Sequence, residues 1–193
     1  MTHIALAAIH RTSKEDPSDE ILLRFATQLR KLGVRAQGVV QARETRNENG
    51  SRRMGIINVA DGANLTISQD RGADSRGCCL NSGAIADATA ILRKAGADSA
   101  ELVFVNRFGM LEAKGDGFAS DMLALISAGI PLITVVEAKY LDAWNAFNGG
   151  LATALPPDEA AVQAWYFGLP QACAPLALKR PALTAEPCQW LPN

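Results

Sequence analysis

Metal-ligating and redox-active side chains are scarce in this chain. It holds two histidines, His3 and His10, and four cysteines, Cys78, Cys79, Cys173 and Cys188. No two cysteines are spaced Cys-x-x-Cys and both histidines lie far from them in sequence, so a closed zinc site is not expected. Reduced thiols are the plain expectation. Net charge is scarce too: 19 basic and 20 acidic residues leave −1, which offers neither nucleic acid nor an anionic membrane an electrostatic handle. No apolar run is long enough to span a bilayer. The opening Met-Thr-His-Ile-Ala-Leu-Ala-Ala-Ile lacks the basic start, long apolar region and cleavage site of a signal peptide. A cytoplasmic location is expected, with no nucleic-acid or membrane partner.

What is present is a regular alternation of strand and helix signals. The 193 residues, 48% of them hydrophobic, suit one domain. Residues 3–9 read as a strand. Asp16-Pro17-Ser18-Asp19-Glu20 reads as a helix start, with Asp16 as N-cap and Pro17 in the first helical position. Leu22, Phe25, Leu29 and Leu32 follow at helical spacing, Gly33 closes the helix, and residues 34–41 form a second strand. Residues 43–52 are charged and turn-rich. Residues 54–59 and 64–68 read as a hairpin around Asp61-Gly62. After a polar loop, Asn81 or Ser82 caps a helix with Ile85, Ala88, Leu92 and Ala95 on its apolar face. Strands at 102–105, 131–136 and 151–155 alternate with helices at about 117–128, around Tyr140 to Phe147, and at 157–166. The pattern predicts an α/β fold, a mostly parallel sheet flanked by helices with an inserted β-hairpin. From residue 168 the chain changes character. Pro170, Pro175, Pro181, Pro187 and Pro192 oppose regular pairing, so the expected division is a domain at 1–167 and a proline-rich C-terminal tail at 168–193.

The segment Glu101-Leu-Val-Phe-Val-Asn-Arg-Phe-Gly-Met-Leu-Glu112 is a buried strand that stops at polar residues. Carboxyl ends of parallel strands are where α/β sheets bind ligands. With the Arg-rich hairpin before it, this block resembles the nucleoside-triphosphatases of the P-loop superfamily, the group with archaeal thermophilic enzymes and a human cancer-related homologue. A closer likeness is to a bacterial family of uncharacterised relatives associated with molybdate-uptake genes. It rests on Arg52-Arg53-Met54, Ile67-Ser-Gln-Asp-Arg-Gly72, Gly77-Cys78, Asn106-Arg107-Phe108-Gly109 and Glu112-Ala-Lys-Gly115, with a Trp near position 165. The resemblance covers residues 1–166 and implies a P-loop-type scaffold.

The hydrolytic machinery does not carry over with it. A phosphate loop needs glycines that let backbone amides curl around phosphate, then Lys and Ser or Thr. No glycine stands between Ile9 and the first helix, and that helix opens with Asp16, Asp19 and Glu20. Those carboxylates occupy the positive helix end and repel phosphate, although Arg11 and Lys14 are available to recruit an anion. Asn106 stands where a metal-binding Asp is expected and offers a neutral oxygen.

Arginine forks suit oxyanions. The expected ligand-binding set is Arg52, Arg53, Ser68, Gln69, Asp70, Arg71, Arg76, Gly77, Cys78, Asn106, Arg107 and Lys114, with Glu112 as the one catalytic candidate and no metal site. Cys78, near a helix start, is a candidate reactive thiol. Trp144 and Trp165 are expected in the core or an interface. The first expectation is a non-hydrolytic binding protein for a small anion. The resemblance points that anion toward molybdate or tungstate, with a nucleotide as the other choice. The alternatives are a nucleoside triphosphatase with Glu112 as its carboxylate and Arg107 on phosphate, and a homo-oligomeric storage or interaction subunit assembled through the tail.

Overall fold

The computed structural model describes residues 5–13, 15–46, 50, 52–68 and 81–170, with the backbone alone at Arg52 and Ser82. Among the described residues, nine strands and five α-helices run in chain order: β1 (Leu6–Arg11), α1 (Ser18–Lys31), β2 (Ala36–Gln41), β3 (Thr45–Arg46), β4 (Arg52–Arg53), β5 (Gly55–Asn58), β6 (Asn64–Thr66), α2 (Ser82–Ala97), β7 (Leu102–Phe104), α3 (Ala119–Ser127), β8 (Leu132–Glu137), α4 (Leu141–Asn148), β9 (Thr153–Leu155) and α5 (Glu159–Phe167). Seven strands make one sheet in the order β6-β5-β2-β7-β8-β1-β9. The five from β2 to β9 are parallel. β5 and β6 add antiparallel at one edge. The α/β fold with its mostly parallel sheet is the architecture that the strand–helix alternation predicts, and it is compatible with a P-loop-type scaffold. The tail's residues 171–193 lie outside the described residues.

Apolar runs without alternation make strands that bury both faces. Ala7 and Ile9, Leu102 and Phe104, and Ile133 and Val135 pack with α1 and α5 through Phe25, Leu29, Val162 and Tyr166. Their neighbours Leu6 and Ala8, Val103 and Val105, and Leu132 and Val136 pack on the other face with Leu92, Met122 and Trp144 of α2, α3 and α4. Each buried Leu, Ile or Phe contributes roughly 1.5–3 kcal/mol. The fold thus places α1 on one face after β1 and α4 on the other after β8, while β1 and β8 are neighbours. Connections that leave adjacent strands for opposite faces open a crevice at the strands' carboxyl ends.

Three local details refine the sequence reading. α1 begins at Ser18, and Pro17, with ψ 15°, takes the N-cap position expected for Asp16. The Asp16 carboxylate still accepts from Ser18 N at 2.9 Å, one residue before the cap. The charged stretch after residue 42 contains a small antiparallel pair, Thr45 with Arg53 and Arg46 with Arg52, where the sequence reads as turns. The β5–β6 hairpin turns as expected at Asp61-Gly62: Gly62 has φ 82°, and the Asp61 carboxylate accepts from Ala63 N at 2.8 Å.

Gly38, in the middle of β2, has φ 106°, and a Cβ there would stand 2.0 Å from the Phe104 carbonyl oxygen of β7. Backbone cannot retreat as a flexible side chain can, so Gly38→Ala is expected to cost about 3 kcal/mol in urea unfolding. Gly129→Ala, at φ 70° with open space around it, is expected to cost about 1 kcal/mol. A second expectation concerns Tyr166, which is 1% exposed. Burial, helped by the charge of Glu101, pushes its phenol up to about 12. The folded state therefore keeps the proton longer than the unfolded chain, whose tyrosines ionise near 10. This contribution to stability is full below about pH 10 and is lost as pH rises to about 12. The stability-versus-pH curve of Tyr166→Phe should lack that loss.

Candidate functional site

The crevice is a cleft of about 790 Å³ at the carboxyl ends of four parallel strands. Arg11 ends β1, Gln41 ends β2, Arg107 follows β7 and Glu137 ends β8. The start of α1 closes one side through Asp16, Pro17, Asp19, Glu20 and Leu23. At its centre is the Asp19 carboxylate. Arg107 Nε donates to Asp19 Oδ1 at 3.0 Å, and Arg107 Nη2 donates to Oδ2. Arg11 Nη1 donates to the same Oδ2 at 3.3 Å, while its Nε donates to the Ser13 carbonyl at 2.8 Å. The side chains of Arg11, Asp19 and Arg107 are 9%, 16% and 22% exposed, so solvent screens this cluster less than a surface pair. Burial works against the Arg107 charge, but the hydrogen bonds and charge of Asp19, with Glu137 and Glu44 behind it, raise its pKa above the ordinary arginine value.

The loop after β1 is filled by the chain's own carboxylates. Asp16 accepts from Thr12 N at 3.3 Å and from Ser18 N at 2.9 Å, and the Ser18 hydroxyl also donates to it. These amides flank the helix end, where a phosphate loop would present its own to a nucleotide. The amides of Thr12 and Ser18 thus face the Asp16 carboxylate. Among the described residues, no three His, Cys, Asp or Glu side chains converge as a metal site. The cleft's rim is mixed, with six carboxylates (Glu15, Asp16, Asp19, Glu20, Glu44 and Glu137) and four cations (Arg11, Arg43, Arg107 and Lys139) among the described residues. Lys139 donates to Glu137 at 2.9 Å, and that bond leads the effects that hold the Glu137 carboxyl below its usual range.

Of the described candidates from the sequence, Arg107 borders the cleft; Arg53, Ser68, Asn106, Glu112 and Lys114 are not among its lining residues. Arg53 donates to Thr66 Oγ1 at 3.1 Å across the hairpin edge, on the far side of β2 from the cleft's centre. Ser68 Oγ accepts from Met54 N at 3.0 Å and ties that hairpin together. Arg52 lies in β4. Gln69, Asp70, Arg71, Arg76, Gly77 and Cys78 lie outside the described residues. The helix that follows them is capped from within, since the Asn81 side chain accepts from Gly83 N and Ala84 N. Asn106 accepts through its backbone oxygen from Thr134 Oγ1 at 2.8 Å, and its side-chain Oδ1 is buried with no partner among the described residues. Trp144 is core, 1% exposed and stacked on Phe147.

Glu112 is 7% exposed, and both of its oxygens are engaged. Oε2 accepts from Gly109 N at 3.0 Å, and Oε1 accepts from Phe118 N at 3.1 Å. It fastens the loop between β7 and α3. Gly117 makes room for it: a Cβ there would lie 2.3 Å from Glu112 Oε1, and its φ is 56°. The residues that sequence reasoning passed over are Gln41, Arg43, Glu44, Glu137 and Lys139, together with the pairing of Asp19. The available signal is positional, because Gln41 and Glu137 end parallel strands and the others follow within a few residues.

A mostly parallel sheet with a cleft at its carboxyl edge defines an α/β protein whose fold is compatible with a P-loop-type scaffold. Residues 6–165 match the model of a family described as "Protein of unknown function (DUF2478)", and the chain belongs to that family. It is also 33% identical over 153 residues to a molybdenum import ATP-binding protein, ModC 2, of Bradyrhizobium diazoefficiens. That alignment takes in 79% of this chain and 17% of the relative. No solved structure matches. Among the described residues, no helix is long and apolar enough to cross a membrane.

The Glu112 geometry yields a direct expectation. Glu112→Ala strands two amides and should lower stability by about 3 kcal/mol in chemical unfolding. Glu112→Gln keeps one acceptor oxygen and should cost about 1 kcal/mol.

Proposed function

We propose that this protein is a non-hydrolysing binding protein for an oxyanion, with the anion held between Arg107 and Arg11. The observation that carries the reading is the convergence of these two guanidinium groups, from the ends of β7 and β1, on one carboxylate inside the cleft. A carboxylate and a small oxyanion present similar acceptor oxygens to an arginine fork. Two forks aimed at one point form an anion subsite that needs no phosphate loop. Molybdate or tungstate is the proposed anion, because the relative named above is a molybdenum import protein. The cleft is larger than a bare tetrahedral ion requires, so an organic group carrying the oxyanion fits the same donors.

The likeness to ModC 2 spans 17% of that protein. This chain has no glycine in its first loop, and carboxylates stand at its first-loop amides. The ATP binding in the relative's name is therefore not carried over to this chain. On this reading, the present chain supplies an accessory function beside an ATP-binding subunit rather than ATP turnover. The triphosphatase alternative gains no support from Glu112, whose oxygens are held by backbone amides away from the cleft.

Titration calorimetry with molybdate, tungstate, sulfate and magnesium ATP tests the proposal. Binding of at least one oxyanion is expected, without phosphate release from ATP. Arg107→Ala should weaken that binding about 10- to 100-fold, the worth of a charge-assisted hydrogen bond of about 1.5–3 kcal/mol. Absence of heat with every oxyanion at millimolar concentration would overturn the assignment, as would magnesium-dependent ATP turnover.

A further inference from the structure

The position between the two arginines is already filled from within. We infer that Asp19 is a tethered competitor for the anion subsite, and that it makes the subsite selective for doubly charged oxyanions over singly charged ones. The inference rests on the oxyanion reading above and specifies its ligand class.

The geometry supports exchange rather than a permanent structural pair. Asp19 bonds to Arg107 and Arg11 through both carboxylate oxygens, so an incoming anion must take over contacts that already exist. The side chain lies in the first turn of α1. When displaced it remains at the helix's positive end, where a carboxylate is stabilised. Its pocket opens to solvent through the cleft, and it is 16% exposed.

Charge then sets the selectivity. A tethered group competes at an effective concentration in the millimolar range or above. A free monoanion offers the guanidinium groups the same single charge as Asp19 and gains nothing by replacing it. A dianion places two charges between two cations and gains on the internal carboxylate. Asp16 and Glu20, which flank the same helix start, add a repulsion that any anion must overcome. Weak, long-range attraction is therefore not enough, and direct contact with both forks is required.

Calorimetric titrations of the full chain with molybdate, tungstate and nitrate, in wild type, Asp19→Asn and Asp19→Ser, test the inference. Thermal melts establish that each variant is folded, and the serine variant keeps a residue suited to a first helical turn. In the wild type, molybdate or tungstate should bind and nitrate should not. In both variants, dianion affinity should rise at least 10-fold and nitrate binding should appear. Dianion binding that is unchanged or weaker in two folded variants would overturn the competitor role and leave the oxyanion reading standing. Failure of molybdate and tungstate to bind wild type and variants alike would overturn both.

Discussion

The grip of Arg107 and Arg11 on the Asp19 carboxylate is the contact that organises the carboxyl edge of this sheet. It joins three elements that the chain delivers from distant places: the end of β1, the start of α1 and the segment after β7. Removing charge from one member of such a cluster leaves the others uncompensated in a poorly screened place. The cluster also orders the neighbourhood. With Arg107 turned toward α1, the segment after β7 continues into Phe108, which bridges to Val136 and packs edge-on against Trp144 at 5.1 Å. Polar edge and apolar floor are thus fixed together.

Two carboxylates near this edge show how position decides the role of one chemical group. Glu112 is nearly enclosed, and its oxygens meet two backbone amides, which holds a loop in place. Asp19 is more open and meets two side chains that can move. The first is locked by a backbone that cannot follow another partner. The second is held by groups at the ends of flexible stems. On the proposed reading, exchange with a ligand falls to Asp19 rather than to Glu112, though both are acidic residues beside a strand end.

The layered fold was legible because its signals are local. Apolar runs at residues 102–105 and 131–136, the helical spacing of Leu22, Phe25 and Leu29, and the Asp61-Gly62 turn each announce one element. The glycine-free first loop with its three acids was legible as well, and there the Asp16 carboxylate accepts from the amides of Thr12 and Ser18. The pairing of Asp19 with Arg107 was not legible. The two are 88 positions apart, and they meet only because β7 and β1 are separated in the sheet by β8. The expectation drawn from Arg53 and Ser68 met the same obstacle. Both lie in the hairpin region joined to the sheet beyond β2, and residue type alone does not reveal which edge of a sheet a loop occupies. The short pairing of Thr45–Arg46 with Arg52–Arg53 was hidden for a different reason, since two-residue strands of charged and polar side chains carry no alternation of hydropathy.

The mixed charge of the cleft bears on what kind of ligand this scaffold serves. A nucleotide site concentrates positive potential so that several phosphate charges are drawn in from a distance. Among the described residues, carboxylates outnumber cations along the cleft, and the helix end that would greet a phosphate is met by Asp16. A polyphosphate would face repulsion along most of its length. On the proposed reading, a compact anion faces it only on the way in and then meets two guanidinium groups at once. Filling the first loop with acids therefore disfavours an extended anion far more than a compact one. On the proposed reading, the part of the cleft that favours negative charge is the space between Arg11 and Arg107.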